Sequence, residues 1–187
     1  PSEKIEIPRA YVIPQGWWNV INNLKTNKIE MIPLTRDTVM QVEVYRIEDY
    51  KTRGSAYEGH FPHYNTSVSK TIENVTFRKG DLYIKTFQPG VRYLLETLEP
   101  ITIDSFFNWN FFDSILQQKE GFSPYVFEDD AAKILAENPE LMEEFTAKKR
   151  EDREFSKNSY QQLNWIYERS SNYESSHLRY PVYRISR

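Results

Sequence analysis

Residues 77–128 read FRKGDLYIKTFQPGVRYLLETLEPITIDSFFNWNFFDSILQQKEGFSPYVFE, which is the densest apolar and aromatic run in the chain. Near its start, side chains alternate with period two, the pattern of a strand with one covered face, at Leu82, Ile84 and Thr86. After Gln88-Pro89-Gly90, apolar residues recur at helical spacing, at Val91, Leu94, Leu95 and Leu98. We expect a strand and then a helix that ends before Pro100.

The same stretch predicts a second helix, because Asp104 is a good N-cap. Its buried face would contain Phe107, Phe111, Ile115 and Leu116, widened by Phe106, Trp109 and Phe112. Large aromatic side chains usually bury their area inside a protein, so core packing is the first interpretation. A docking surface is the alternative.

The composition indicates one large domain, or one domain with a helical appendage. The chain has 187 residues, a hydrophobic fraction of 39% and a formal net charge of −3. No basic block or helix face favours nucleic acid. The absence of cysteine excludes disulfides, thiol catalysis and cysteine-based zinc sites. No apolar run approaches the roughly 18 residues that a membrane span needs.

Outward from this stretch, the pattern predicts a strand at 10–13, a helix at 15–25 and a strand at 29–32. These form a βαβ unit whose strands are parallel if they share one sheet. A longer strand at 38–50 changes its buried phase between Val44 and Tyr45, which suggests a bulge or a strand shared between two packing surfaces. Residues 51–66 are the best loop candidate, and a strand or hairpin at 67–77 should pair with 81–87.

The last third is predicted to be helical. Asp129 and Asp130 can cap a short helix, Asn138-Pro139-Glu140 opens another, and a last helix covers about 156–170. The tail from His177 to Ile185 is expected to return to the sheet. We therefore predict an α+β fold, with a mixed, largely antiparallel sheet, an N-terminal βαβ unit and covering helices. Its parts are a linker at 1–9, a core at 10–128, and a helical extension at 129–187 packed on the core as a single domain.

Residues for a binding surface are present, whereas a catalytic constellation is not evident. His60 and His63 could hold a metal, but no third ligand is marked, and surface loop histidines are the first interpretation. Carboxylates such as Glu96 and Glu99 lie near a helix end, which does not favour a general acid or base role. No serine has the flanking glycines of a nucleophile elbow, so a Ser-His-Asp site is not favoured either. Candidates for a partner or ligand surface are Trp17, Trp18, His60, His63, Tyr64 and Trp109. In the tryptophan pair, one side chain is expected in the core.

Two long segments carry a family resemblance. AYVIPQGWWNVINNLKTNKIEMIPLTRDTVMQVEVYRIEDY (10–50) is similar to the segment that follows the catalytic domain in bacterial M14-type zinc carboxypeptidase-like proteins. GDLYIKTFQPGVRYLLETLEPITIDSFFNWNFFDSILQQKE (80–120) resembles the later part of that region, and the tail HLRYPVYRI also fits. The resemblance covers nearly the whole chain in consistent order.

The resemblance implies a non-catalytic accessory region of an exported zinc carboxypeptidase. Zinc and its ligands would lie in an upstream catalytic domain, which would be the partner of this chain, and no cofactor is expected here. Gln88, Arg92 and Glu99 match recurrent positions of the family pattern and are expected to form a structural polar corner. The implied location is periplasmic or extracellular, with a signal peptide upstream of this fragment.

Three hypotheses follow. The first is an accessory region that supports the catalytic domain or shapes its substrate entrance through the Trp109 region or the 51–66 loop. The second is a glycan- or peptide-binding module, which predicts a groove of exposed aromatic and convergent polar side chains. The third is an independent enzyme, which requires a pocket with perturbed titratable groups.

Overall fold

The computed structural model describes residues 5–118 and 121–186. Its strands are β1 (Ala10–Ile13), β2 (Ile32–Pro33), β3 (Thr38–Thr52), β4 (His63–Phe77), β5 (Leu82–Lys85) and β6 (Tyr183–Ile185). Its α-helices are α1 (Trp18–Thr26), α2 (Val91–Leu98), α3 (Pro124–Glu137), α4 (Pro139–Glu151), α5 (Arg153–Lys157) and α6 (Ser159–Tyr167). The predicted α+β fold with a helical C-terminal part is confirmed.

The chain forms two compact units. The first holds the described residues of Pro1–Gln117 and Ser176–Arg187, and it contains the whole sheet with α1 and α2. The second holds those of Gln118–Ser175, with α3 to α6. Residues 1–4 of the predicted linker lie outside the described residues, and the packing of 129–187 on the core stays a prediction.

The sheet has the order β2-β5-β1-β6-β3-β4, and every neighbouring pair is antiparallel. Both β1 and β2 pair antiparallel with β5. They therefore run parallel to each other on either side of it, so the N-terminal βαβ unit is present in split form. The predicted pairing of 67–77 with 81–87 is wrong, because β5 pairs with β1 and β2, and β4 pairs with β3 instead. The C-terminal tail returns to the sheet as β6, between β1 and β3.

The phase change in the long strand β3 is confirmed. Val42 and Val44 are buried in a small cluster with Val12, whereas Ile47 is buried in the larger cluster with Tyr11. Adjacent side chains of a strand point to opposite faces, so the two clusters lie on opposite sides of the sheet. The β3–β4 pairing is regular from Thr38 to Ile47, so at the phase change the strand is shared between two packing surfaces, and the first register shift comes only after Ile47.

The predicted loop at 51–66 is too long. Lys51 pairs with Tyr64, and Thr52 pairs with His63, so both strands of the β3–β4 hairpin extend into that range. Residues 53–62 remain as the hairpin tip. The error has a physical cause, because both faces of an exposed hairpin can carry polar side chains, and the period-two signal of burial is then lost.

The second predicted helix, at Asp104, is wrong. Residues 101–117, here called the aromatic segment, form successive turns that end in a 3₁₀ turn at Asp113–Ile115. Asn110 adopts a left-handed conformation with φ of 67°, which a regular α-helix does not contain. The Asn108 side chain donates to Thr102 O at 2.7 Å, so a side-chain amide replaces part of the helical backbone bonding. The segment buries three phenylalanines, Phe106, Phe107 and Phe112.

The main core lies on one face of the sheet, under α1, α2 and the aromatic segment. Its central residues are fully buried: Tyr11, Ile13, Val20, Leu24, Leu94, Phe107, Phe112 and Tyr180. Gly90 precedes α2 with φ of 89°, and a Cβ there would lie 2.8 Å from Ile29 Cδ1. Only glycine meets both conditions without strain, which fixes the entry of α2 onto the sheet.

The second unit has its own small core. Its buried residues are Phe127, Ala131, Leu135, Leu141, Ile166 and Tyr167, contributed by α3, α4 and α6. Helix α3 begins at Pro124, earlier than the predicted caps at Asp129 and Asp130. The predicted N-cap of α4 is confirmed, because the Asn138 side chain accepts a hydrogen bond from Leu141 N.

Replacing Asn138 by alanine should lower the stability of this second unit by about 1 kcal/mol, because the cap hydrogen bond to the first turn of α4 is lost. Urea unfolding followed by far-ultraviolet circular dichroism measures the change. Glu137→Ala, at the exposed end of α3, is the matched control and should stay within about 0.5 kcal/mol. Equal losses in the two variants would contradict a capping role.

Candidate functional site

A cavity of about 770 Å³ lies between the hairpin tip and the aromatic segment, within the first unit. Its lining comes from three places: the hairpin tip, the start of β4, and residues 101–109 of the aromatic segment. The lining residues are Arg53, Ser55, Ala56, Tyr57, Pro62, His63, Tyr64, Asn65, Thr66, Ile101, Ile103, Asp104, Asn108 and Trp109. We call this cavity the hairpin cleft. Its volume is in the range of small-molecule sites.

Aromatic rings line much of the hairpin cleft. The rings of Tyr57 and Trp109 have centroids 6.1 Å apart, and the rings of His60 and Trp109 are nearly perpendicular with centroids 5.7 Å apart. The Arg53 guanidinium lies 5.5 Å from the centre of the Tyr64 ring, within cation–π range. The rings therefore come from both sides of the cleft.

Asn108 joins the two sides of the cleft. Its backbone oxygen accepts from His63 N at 2.8 Å, and its side-chain oxygen accepts from Thr66 Oγ1 at 2.9 Å. Between these two contacts, Asn65 takes a left-handed conformation with φ of 53° and bulges out of β4. The start of this edge strand is thus covered by the aromatic segment.

His63 is only 6% exposed, so the interpretation as a surface loop histidine is wrong. Its ring holds the hairpin against the aromatic segment. Its Nε2 lies 3.0 Å from Asp113 Oδ1, and its Nδ1 lies 2.9 Å from Thr52 Oγ1. A carboxylate only accepts, so we assign the proton of the neutral ring to Nε2, with the Thr52 hydroxyl donating to Nδ1. Asn110 Nδ2 also donates to Asp113, at 3.2 Å.

Replacing His63 by alanine should lower the free energy of unfolding by about 1–3 kcal/mol, because a buried ring and its two partly buried hydrogen bonds are lost. Urea unfolding measures the loss. The matched control is His60→Ala, which removes ring contacts to Trp109 and Phe111 and should cost about 1 kcal/mol or less. A larger loss for His60→Ala than for His63→Ala would contradict the stabilising role of His63.

These residues do not fit a zinc site. Both ring nitrogens of His63 already have protein partners, and the ring of His60 packs against Trp109 and Phe111. Within residues 5–118 and 121–186, no group of three or more histidine, cysteine, aspartate or glutamate side chains could hold a metal ion.

The structure brings together four of the six residues predicted for a ligand or partner surface. His63, Tyr64 and Trp109 line the hairpin cleft, and His60 contacts the Trp109 ring. The tryptophan pair lies elsewhere. Trp17 packs edge-on against Phe112 at 4.9 Å in the main core, while Trp18 is 63% exposed on α1. The expectation of one core and one surface tryptophan holds for this pair.

The predicted polar corner does not form as one group. Gln88 holds the β5–α2 corner, because its Oε1 accepts from Glu30 N at 2.7 Å. Arg92 is exposed and pairs with Glu96 of its own helix at 2.7 Å. Glu99 is fully buried, and its Oε1 accepts from Tyr11 OH at 2.5 Å.

Glu99 belongs to a buried polar cluster that the sequence did not reveal. Arg184 Nε lies 3.0 Å from Glu99 Oε1, and Arg184 Nη1 donates to Glu43 Oε2 at 2.8 Å. Arg184 also donates to Tyr45 OH. The cluster links side chains of β1, β3 and β6 with the residue directly after α2, in the interior of the first unit.

Burial is the largest single influence on the pKa of Glu99, Arg184 and Tyr11 in this cluster. It raises the pKa of the Glu99 carboxyl, outweighing the attraction of Arg184 and the hydrogen bonds from Tyr11 and Tyr45. At Arg184 burial opposes the charge, but the negative charge of Glu99 and its neighbours outweighs it and raises the pKa. Burial and the charge of Glu99 also raise the pKa of Tyr11. The surroundings therefore favour the charged form of Arg184 and disfavour the charged forms of Glu99 and Tyr11.

Sequence reasoning did not single out several polar residues of the hairpin cleft, among them Arg53, Asp104 and Asn108. Arg53 lay within the predicted 51–66 loop, whose mixture of polar and aromatic residues was the available signal. Asp104 was interpreted as a helix cap, and nothing marked Asn108. In the cleft, Asp104 is exposed and Asn108 is buried.

Comparison with known proteins gives a partial relationship. A 100-residue part of the chain is 30% identical to carboxypeptidase 2 of Trichophyton tonsurans and of Trichophyton equinum. The match covers 53% of this chain and 18% of each relative. No family model and no solved structure matches the chain. Among the helices of the described residues, none has the length and apolar character needed to cross a bilayer.

The relationship to these two fungal proteins is weak and covers about half of this chain. It suggests a carboxypeptidase-like relationship and is compatible with a carboxypeptidase-associated domain.

Proposed function

We propose that this chain is a non-catalytic accessory region of an exported M14-like metallocarboxypeptidase, lying C-terminal to the catalytic domain. The observation that carries the proposal is the 30% identity to carboxypeptidase 2 over 100 residues, together with the long motifs at 10–50 and 80–120. In this proposal zinc belongs to the catalytic domain, and that domain is the partner of this chain.

The positions of the buried polar residues favour an accessory role over a catalytic one. His63 uses both ring nitrogens to hold the hairpin against the aromatic segment. Glu99 and Arg184 face each other inside the sheet unit, away from solvent. Polar side chains that bond to other protein groups in this way stabilise the folded structure. The exposed hairpin tip, with Tyr57 60% exposed, is then the part that would border the substrate entrance.

The test compares the catalytic domain alone with the longer polypeptide that contains this chain. Both are assayed with zinc on peptides with free and with amidated C-termini, and the 187-residue chain is then added in trans. We expect the chain alone to be inert and to restore activity or thermal stability to the catalytic domain. Full activity and stability without the chain, and no association in trans, would overturn the proposal.

A pair of variants separates shaping of the entrance from general support. In the longer protein, Trp109→Ala should raise KM for peptides while leaving the melting temperature within a few degrees, if the hairpin cleft borders the entrance. Trp18→Ala removes an exposed tryptophan of α1 outside the cleft lining and should change neither quantity. Loss of stability in Trp109→Ala with unchanged KM would limit the role to support.

The lining of the cleft also favours a second candidate function, the binding of a glycan. Aromatic rings and convergent polar groups meet there in one concave space, as that hypothesis requires.

A further inference from the structure

We propose that the hairpin cleft binds a short neutral oligosaccharide, with Trp109 and Tyr57 as stacking surfaces and Arg53 and Asp104 as hydrogen-bonding groups. This inference rests on the second candidate function, glycan binding, and specifies its ligand class, whereas it does not depend on the accessory role. The inference rests on four features of the cleft: its size, its amphipathic lining, its balanced charge, and the covering of the edge strand beside it.

The lining matches the two chemical surfaces of a sugar. A pyranose ring presents C–H groups on its face, which pack on an aromatic ring, and hydroxyl groups around its edge. Partly exposed aromatic rings, Tyr57, Tyr64 and Trp109, stand beside planar polar side chains in the cleft. Guanidinium, carboxylate and amide groups each offer two adjacent hydrogen-bonding atoms, which suit neighbouring hydroxyls.

The charges in the cleft favour a neutral ligand. Its lining carries one cation, Arg53, and one carboxylate, Asp104, besides His63. In the part of the chain that the structure describes, neither Arg53 nor Asp104 forms an ion pair, so both can bond to a ligand. An anionic ligand would meet Asp104 and a cationic one would meet Arg53. A polyhydroxylated neutral molecule can use both groups.

The backbone beside the cleft argues against an extended peptide. A peptide adds to an edge strand through a continuous ladder of main-chain hydrogen bonds. The start of β4 cannot supply one, because His63 N already donates to Asn108 O and Asn65 bulges in a left-handed conformation. Recognition in the cleft must therefore come from side chains, as it does for a sugar.

The test is isothermal titration calorimetry of the 187-residue chain with three neutral probes. These are β-1,4-linked glucose and N-acetylglucosamine hexasaccharides and an α-mannose oligomer. We expect one-to-one binding of at least one probe with Kd of about 1 mM or tighter, and at least about tenfold weaker binding after Trp109→Ala or Arg53→Ala. Trp18→Ala, which removes an exposed tryptophan outside the cleft lining, should bind as the unaltered chain does.

Circular dichroism checks each variant, and Arg53→Ala, which alters an exposed side chain, keeps the test valid if Trp109→Ala fails to fold. Absence of binding by all three probes at about 10 mM would overturn the proposal. Binding that is unchanged in both cleft variants would also overturn it. An uncharged hexapeptide is titrated in parallel, and its binding through Arg53 without any sugar binding would make the cleft a peptide site. None of these results bears on the accessory role, which is measured by peptidase activity.

Discussion

Replacing Arg184 by methionine is expected to lower the free energy of unfolding by about 3–5 kcal/mol, measured by urea unfolding near neutral pH. The methionine fills a similar volume but removes the cation that faces Glu99 at 3.0 Å and Glu43 at 2.8 Å. Glu99 is fully buried, and its Oε2 has no hydrogen-bond partner among the described residues. Without Arg184, ionised Glu99 would have no compensating positive charge.

The loss should depend on pH in a defined direction. Burial raises the pKa of Glu99 in the folded state above its usual value of 4.5, so the stability linked to this group is fully present below about 4.5. That stability is lost as the pH rises through the folded-state pKa. Removing Arg184 takes away an attraction that lowers this pKa, and so raises it further. The cost of Arg184→Met should therefore be smaller near pH 4 than near pH 8.

Glu43 adds to the pH effect with the same sign. Burial opposes its charge, but hydrogen bonds from Ser186 and Lys70 and the charge of Arg184 outweigh burial and lower the pKa of Glu43. A lowered pKa contributes stability that is present above the usual value and lost as the pH falls through the folded-state pKa. Removing Arg184 weakens this contribution, so the variant again loses more at high pH.

Two further variants isolate the buried pair. Glu99→Gln combined with Arg184→Met should recover part of the loss, because the uncompensated charge is gone. Arg92→Met is the matched control. Arg92 pairs with Glu96, but its side chain is 89% exposed, so we expect a change within about 0.5 kcal/mol. A double variant as unstable as the sum of its single changes would contradict coupling between Glu99 and Arg184.

The sequence predicts those parts of the fold that one element can specify by itself. The phase change in β3 depends only on which of its own residues are apolar, and the cap of α4 depends only on Asn138 and the three residues after it. The split βαβ unit was predictable as two parallel strands. The insertion of β5 between them was not, because β5 follows β2 by almost fifty residues and its position depends on the whole sheet.

Long-range polar contacts explain most of what was missed. Tyr11 and Glu99 are 88 residues apart, and no local pattern marks either as a partner of Arg184. The aromatic segment shows the opposite problem. Its apolar spacing imitates a helix, yet contacts to other elements determine its path, such as Phe106 N with Thr97 O and His63 N with Asn108 O. Tertiary bonding overrides the local pattern there.

The sequence predicted a ligand or partner surface, but it did not predict which residues would form it. The 51–66 region was marked as a loop with polar and aromatic residues, and Trp109 was marked by the docking-surface alternative for its ring-rich segment. The structure places both around one cleft. The tryptophan pair looked equally suitable, but Trp17 is drawn into the core by Phe112. Periodicity shows which residues share a face. It does not show which neighbouring element covers that face.

Replacing Phe107 by alanine should lower the free energy of unfolding by about 3–5 kcal/mol, the usual cost of removing a fully buried phenylalanine. Its ring contacts three separate parts of the first unit. The centroid distances are 5.1 Å to His63, 5.7 Å to Tyr50 and 6.3 Å to Tyr180. The loss therefore combines the lost burial of the ring with a cavity where β3, β4, the tail and the aromatic segment meet.

Phe87→Ala is the matched control, because Phe87 is completely exposed, and we expect it to change stability by less than about 0.5 kcal/mol. Urea unfolding of both variants supplies the comparison. A loss below about 1 kcal/mol for Phe107→Ala would mean that the aromatic segment repacks to fill the space. The structure argues against such repacking, since Asn108, directly after Phe107, is held by hydrogen bonds to Thr66, His63 and Thr102. These bonds fix the backbone beside the space left by the Phe107 ring, so that space should stay open and the full cost should appear.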